Sequence, residues 1–525
     1  MSDGFERNTR TVTVLTLFSR LTGLARDATL SRVFGSGELM SAYFFAFMIP
    51  NLFRRLFGEG ALSAAFLPTY TKLESSDPEL ARRLASLTVA RLMVLLGVVT
   101  LLGEIILFFI SLRADHANVA VWLMMLMLPY MPLVCLVAIL GAMLQVHHRF
   151  GPTAAAPIIL NLCIVTAATL TPFVFDFSGE GRQVHHVGIV AGALVVAGVL
   201  QVAWSLLALR RFAWWRSDYA AAREPFRKVK RLALPMIVGL GVLQLNTFFD
   251  GLIASYPAAI GSTIFGHAYP LGVDAMATVS FAQRLYQFPL GVFGIAVATA
   301  IFPLLARQAD DDAAFADTVR RGLRLVVFIG LPASVGLLLV RHELAAVVLQ
   351  GGQFTSDNTD RVAFVLLGYA PAIWAYSMVH VLTRAFYAKD DSMTPVKIAI
   401  GVVVLNLTLN CTLIWTPLRE AGLAWSTAFC AIVQVSLLLL VVRRHVPHLI
   451  NREVLLSWGQ TIIAALPMTG VVMLFASSFS QGPVGWAESL GRLVLLVGSG
   501  GIIVAITALS LRMPELSWAL GRKKS

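Results

Sequence analysis

About fourteen stretches of roughly 20 mostly apolar residues follow one another along this chain, and that is the length an α-helix needs to cross a bilayer. They run at 11–34, 39–71, 85–112, 118–145, 152–175, 187–209, 232–254, 274–306, 322–340, 362–388, 395–415, 421–442, 454–477 and 487–511. Composition agrees, with 57% hydrophobic and only 13% charged residues in 525. The expected fold is an all-α polytopic membrane protein with about 14 transmembrane helices. The first, second and eighth segments are weak by hydropathy because they carry charges.

Those charges are mostly arginines. Arg20, Arg26 and Arg32 fall in the first segment, Arg54 and Arg55 in the second, and Arg284 in the eighth. Each costs about 2.5–3.5 kcal/mol at a helix centre on insertion scales, so a chain keeps several only for a use. With Arg91 and Arg492 they outnumber the intramembrane acids Asp27, Glu59, Glu104 and Asp250. The excess asks for an anionic partner, and a transported substrate is the natural candidate. Arg91 and Arg492 read as snorkelling or interhelical residues.

The net charge of +12 does not point to nucleic acid. With a cytoplasmic N-terminus, the inner loops and tails hold about 28 Lys/Arg and the outer loops about 5, a positive-inside pattern with both termini cytoplasmic. The densest group, Arg210, Arg211, Arg216, Arg223, Arg227, Lys228, Lys230 and Arg231, reads as a topology determinant touching anionic membrane phospholipids. Cys135, Cys163, Cys411 and Cys430 lie in apolar segments, with no disulfide framework and no zinc spacing. The charged first segment has no small-residue cleavage site and is expected to be retained rather than removed as a signal peptide.

A weak repeat joins the halves at an offset of about 240 residues, the sign of a duplicated transporter lobe. GALSAAFLPTYTK at 60–72 aligns with IAVATAIFPLLAR at 295–307, pairing Pro68 with Pro303 and Lys72 with Arg307. Pro152 and Pro395 each open the fifth helix of a half. Lobes of six helices share one orientation, which predicts an N-lobe over 1–222, a C-lobe over 223–448 and an appendage over 449–525 ending in a basic tail. Pro50, Pro132, Pro235, Pro289, Pro371 and Pro467 punctuate the interiors, and Pro50 and Pro289 stand beside the charged positions.

Within SRLTGLARD, Arg20 and Asp27 are seven residues apart on nearly one face, with Gly23 between them permitting a bend or close approach. In PNLFRRLFGEG, Arg55 and Glu59 stand at i and i+4, close enough to pair within a helix, and Asn51 precedes Arg54 by one turn. Arg284 has Gln283 and Gln287 beside it but no carboxylate on its own segment. A planar, always-charged guanidinium suits a diphosphate, and Arg20, Arg26, Arg54 and Arg284 could converge on one polyanionic headgroup. A second polar set comprises Asn246 and Asp250, Asn406 and Asn410, and Thr427. These oxygen donors suit a sodium ion or a protonatable coupling site, and equally suit interhelical hydrogen bonding. No HExxH, Walker loop, G-x-S-x-G or paired-carboxylate spacing appears, so a transporter is expected rather than an enzyme.

The strings SRLTGLARDATLSRVFG, FFAFMIPNLFRRLFGEGALSAAFLP, RLYQFPLGVFGIAVATAIFP, TPVKIAI and GLAWST closely resemble the MurJ/MviN lipid II flippases of the multidrug/oligosaccharidyl-lipid/polysaccharide exporter superfamily. The resemblance covers about 10–440 of the chain. It implies two six-helix lobes forming a V, with the last two helices making a groove for a polyprenyl tail. It implies that Arg20, Arg26, Arg54 and Arg284 match the family's essential cavity arginines and bind substrate; Asp27, Gly23, Arg55, Glu59, Asn51 and Gln287 are expected to gate or support them. It further implies a monomer in the bacterial inner membrane that moves the undecaprenyl-diphosphate-linked precursor outward by alternating access, without a cofactor beyond a possible sodium or proton. Ser41, Gln283 and Gln287 stand where some relatives carry acids, which makes this chain's cavity more positive. The alternatives are a polysaccharide-lipid or multidrug exporter of the same superfamily, which a cationic-dye efflux assay would separate, and an enzyme acting on polyprenyl phosphates. The outer loop at 255–273 has no functional account from sequence.

Overall fold

In the computed structural model, the described residues are 2–58, 61–113, 118–175, 181–446, 448–479 and 485–519. Nineteen α-helices carry the fold, and the only strands among these residues are a two-residue pair. Two compact units divide the chain: 1–277 with 351–354, and 278–350 with 355–525.

The first unit contains α1 (Ser2–Phe34), α2 (Glu38–Phe53), α3 (Ala61–Ser76), α4 (Pro78–Arg113), α5 (Val119–Met127), α6 (Tyr130–Val146), α7 (Gly151–Val174), α8 (Arg182–Leu209) and α9 (Arg223–Ala259). The division at 277/278 differs from the expected lobe boundary at 222/223 by one helix. The reason is packing: α9 lies against α2, α3 and α4. The first turns of α9 also carry Arg223–Arg231, so five of the eight residues of the basic group expected between two spans lie in this helix. Asn118 accepts from Ala120 and Val121 N–H and caps α5, satisfying two donors that a helix start leaves open.

The second unit contains α10 (Ala275–Pro289) from Thr278 onward, α11 (Ile295–Arg307), α12 (Asp312–Leu349), α13 (Ser356–Tyr369), α14 (Ala372–Ala388), α15 (Met393–Leu413), α16 (Ala421–Val442), α17 (Arg452–Ser477), α18 (Trp486–Ser510) and the short α19 (Pro514–Ala519). Its core joins α11, α12, α14 and α16 through buried Phe315, Val326, Met378, Leu382, Phe386 and Leu438.

Nine of these helical stretches are long and apolar enough to cross a membrane, or ten if the pair α13 and α14, bent by 43°, counts as one. The bend falls at Ala370–Pro371, where proline cannot continue the hydrogen-bond ladder. Only 11% of the apolar window of α4 is buried inside the protein. Val94, Leu101 and Ile106 point outward, so lipid is the surface this helix is built for.

Two expected spans are broken in the same way. A π-helical turn at Arg54–Gly58 interrupts 39–71, and one at Leu290–Gly294 interrupts 274–306. Each follows a proline, Pro50 inside α2 and Pro289 at the end of α10. Proline removes an N–H and crowds the carbonyl one turn back, so in each case the regular ladder is already interrupted just before the π-turn. The breaks occupy corresponding places in the sequence repeat, since each leads into one of its two aligned strings.

Close approach of α13 and α16 depends on Gly368. A Cβ there would stand 2.7 Å from Ala424 Cβ and 2.9 Å from Trp425 N. Gly368→Ala is expected to destabilise the second unit by about 1–3 kcal/mol through overpacking. Thermal unfolding in detergent measures this, with Gly401→Ala as control because nothing lies within 4 Å of a Cβ at that position.

Candidate functional site

The first arginine group is built on α1, which runs without a break through Gly23. A Cβ on Gly23 would meet Asn161 Nδ2 of α7 at 3.7 Å, an ordinary contact, so the glycine is not sterically required. Arg26 donates from Nε and Nη2 to Asp27 Oδ1 at 2.9 and 2.7 Å, and from Nη1 to Asn161 Oδ1 at 3.0 Å. Asn161 in turn donates to Thr22 Oγ1 and Ser19 O, which fixes its amide orientation. Asp27 is 4% exposed and is spent on its sequence neighbour, not on Arg20 one helical face along. Arg20 is half-buried and makes no hydrogen bond or ion pair among the described residues.

The second group sits at the π-turn. Arg54 donates from Nε and Nη2 to Asn51 Oδ1 at 3.2 and 3.0 Å, so a neutral amide steers this guanidinium. Arg55 Nη1 reaches Gln244 Oε1 of α9 at 2.9 Å. Glu59, the expected i+4 partner of Arg55, lies outside the described residues. The turn Arg54–Gly58 that carries Arg55 is π-helical.

In the second unit, Arg284 is half-buried on α10, and so is Gln287. Gln283 donates to Tyr369 Oη at 3.0 Å, and Tyr286 stacks on the same tyrosine at 4.5 Å. This pairing fixes the face of α10 on either side of Arg284. Ser41, the other position read as a lost acid, accepts from Ala277 N–H at 3.1 Å and is fully buried in the first unit.

The polar set read as a possible ion site divides between the units. Asp250 is 3% exposed on α9 in the first. In the second, Asn410 Nδ2 donates to Asn406 Oδ1 at 2.9 Å, Asn406 Nδ2 donates to Ser426 Oγ at 3.3 Å, and Ser426 Oγ donates to Asn410 Oδ1. Thr427 donates to Leu423 O within its own helix. The three α15–α16 side chains thus close a ring of hydrogen bonds, as buried polar groups require. No cluster of three or more His, Cys, Asp or Glu suited to a metal occurs among the described residues.

Sequence reasoning passed over Asn161, Gln244 and Tyr369. Asn161 is a lone amide in the apolar run PIILNLCIV, and an unaccompanied polar residue in such a run was the available signal.

The family model "Lipid II flippase MurJ" matches residues 30–494. A Vibrio cholerae protein called probable lipid II flippase MurJ is 28% identical, over 97% of this chain and 97% of its own length. A Burkholderia cenocepacia lipid II flippase MurJ is 29% identical, over 98% and 97%. Among solved structures, an inward closed conformation of lipid II flippase MurJ matches with a TM-score of 0.77 at 21% identity, over 95% of this chain and 99% of the other. An inward-facing multidrug resistance transporter of the MATE family matches with a TM-score of 0.64 at 13% identity, over 84% and 98%, a likeness of fold.

Proposed function

The chain belongs to the lipid II flippase MurJ family, and on that premise we propose that it carries the lipid-linked peptidoglycan precursor from the cytoplasmic to the outer leaflet of a bacterial inner membrane by alternating access. It does so as a transporter, not as an enzyme. In this reading about fourteen helices span the bilayer as two six-helix lobes in a V, both termini lie inside, and the protein acts as a monomer. The last two spans, α17 and α18, receive the polyprenyl tail while the sugar-peptide head crosses in a hydrated cavity.

One observation supports this most: a half-buried Arg20 without a partner among the described residues, beside an Arg26 aimed by Asp27 and Asn161. Asp27 neutralises Arg26 in this pair, so the uncompensated positive charge is that of Arg20, while Arg26 offers an anionic cargo its remaining N–H donors. In this proposal Arg20, Arg26, Arg54 and Arg284 replace water around the diphosphate. Separation of Arg26 from Asp27 is the step that couples binding to the change of access. Cargo shifts the lobes only by the difference in its affinity for the two states. A sodium or proton gradient acting on buried Asp250 belongs to the proposal as its energy source.

Headgroup accessibility in vesicles containing the purified protein and lipid II tests it. Lipid II heads are expected to become reactive on the far face faster than in protein-free vesicles, and the rate to respond to a sodium or proton gradient. No acceleration over protein-free vesicles sinks the flippase reading for this chain. Acceleration that ignores both gradients removes the coupling through Asp250 alone.

A further inference from the structure

We propose that the first unit carries a second lipid site, separate from the cargo arginines, for the phosphodiester of an anionic membrane phospholipid. The site is a cleft of about 400 Å³ lined by Arg149, Arg210, Arg211, Trp204 and Leu207, with Pro152 at the start of α7. It rests on the membrane topology proposed above, in which the end of α8 meets the cytoplasmic leaflet.

Charge complementarity selects the occupant. The same unit carries other arginines that are neutralised: Arg216 by Glu79 at 2.8 Å, Arg83 by Asp218 at 3.0 Å and Arg227 by Glu224 at 2.6 Å. Arg149, Arg210 and Arg211 are exposed and have no carboxylate within 4.0 Å among the described residues. Three unneutralised guanidiniums around one cleft make a site for an anion that can accept several N–H donors at once. The first turn of α7 adds to the field, because no side chain caps its N-terminus at Phe150.

An apolar track fixes the anion as a lipid headgroup. Val196, Leu200, Trp204 and Leu207 recur at i, i+4, i+8 and i+11 along α8 and are 56, 47, 41 and 60% exposed. That spacing keeps them on one helical face leading straight to Arg211. An acyl chain laid along this face would end with its phosphate in the cleft, and Trp204 stands where an indole prefers to sit, between tail and headgroup. A soluble phosphate would use the arginines and leave the track bare.

Native mass spectrometry of the full chain, released from micelles containing phosphatidylglycerol or phosphatidylcholine, tests the proposal. Wild type is expected to retain phosphatidylglycerol over phosphatidylcholine. The triple variant R149Q/R210Q/R211Q should weaken the tightest retained molecule about tenfold. An equal charge removal elsewhere, R223Q/K228Q/K230Q, should leave it unchanged. Equal losses in both variants overturn the site in favour of diffuse attraction, and equal retention of both lipids overturns it outright. Displacement of phosphatidylglycerol from the cleft by undecaprenyl diphosphate at lower concentration also overturns it, by assigning the cleft to cargo. Inorganic phosphate at millimolar concentration competing as well as the lipid would remove the role of the α8 track. None of these readouts involves translocation, so failure here leaves the vesicle assay of flipping untouched, and the reverse.

Discussion

Arg26→Ala abolishes lipid II translocation in the expected result, and Arg284→Ala does the same, in protein that still reaches the membrane. A guanidinium has about five N–H donors. Arg26 uses three of them on Asp27 and Asn161, which leaves two for a phosphate oxygen from a side chain already aimed. Charge-assisted hydrogen bonds are worth about 1.5–3 kcal/mol each, so losing two corresponds to roughly a hundredfold to ten-thousandfold loss. The alanine also strands Asp27, 4% exposed, and breaking a buried pair on one side costs about 3–5 kcal/mol unless the acid takes up a proton. The double variant R26A/D27N removes that complication by restoring the charge balance. It is expected to be as inactive as Arg26→Ala and more stable. Complementation of a flippase-depleted strain by the double variant would show that the guanidinium serves only to neutralise Asp27. For Arg284 the comparator is Arg284→Lys, which keeps the charge and loses the fork; retained complementation by Arg284→Ala would remove that residue from the site.

The second large effect is expected far from the arginines. Glu515 on α19 is fully buried and receives Arg324 Nε and Ser457 Oγ, each at 2.6 Å. Arg324 also lies over the Trp518 ring at 5.0 Å, so α19 is clamped to α12 and α17 by charge, hydroxyl and aromatic contacts together. Glu515→Ala leaves a guanidinium 14% exposed with only Glu453 at 3.5 Å to balance it. A loss of about 3 kcal/mol is expected, at the low end for a broken buried pair because that second acid is present. Thermal unfolding in detergent reads the change, and Glu515→Gln should fall between alanine and wild type because it keeps an oxygen for Ser457. An unchanged midpoint in Glu515→Ala would mean that α19 contributes nothing to the second unit.

Spans were legible because burial in lipid imposes length and hydrophobicity on every segment, whatever its neighbours. Each expected segment lies on one helix or one broken pair, but nine of these helical stretches, or ten with the bent pair, are long and apolar enough to cross a membrane among the described residues, and α1, α4, α9 and α12 run seven to ten residues past an expected end. Arg20, Arg26, Arg54 and Arg284 stood out for the same reason: charge in an apolar run is conspicuous. Their partners were not legible, because Asn161 approaches Arg26 from 135 positions away. Nothing in a local pattern encodes that distance. The same holds for Gln244 beside Arg55, and for α9, whose contacts with α2 and α3 tie it to the first unit. Past the last expected span, the short helix α19 buries Glu515, whose partners are supplied by α12 and α17; the basic tail expected after it lies outside the described residues. Of the expected outer loop 255–273, residues 255–259 continue α9 and the rest holds a tight hairpin, with Thr263 paired to Ala268 across Phe265 and Gly266, both at positive φ. Tyr256 and Tyr269 stack beneath it at 4.5 Å.

Helical wheels drawn through the second helix of either half are out of phase on one side of the break. A π-turn holds one residue more than the α ladder expects, and one residue is about 100° of rotation. Residues before Arg54 and after Gly58 therefore face directions that a regular helix would assign to their neighbours, and the slip recurs at Leu290–Gly294. Any cysteine scan of this chain designed from periodicity has to restart its count at both places.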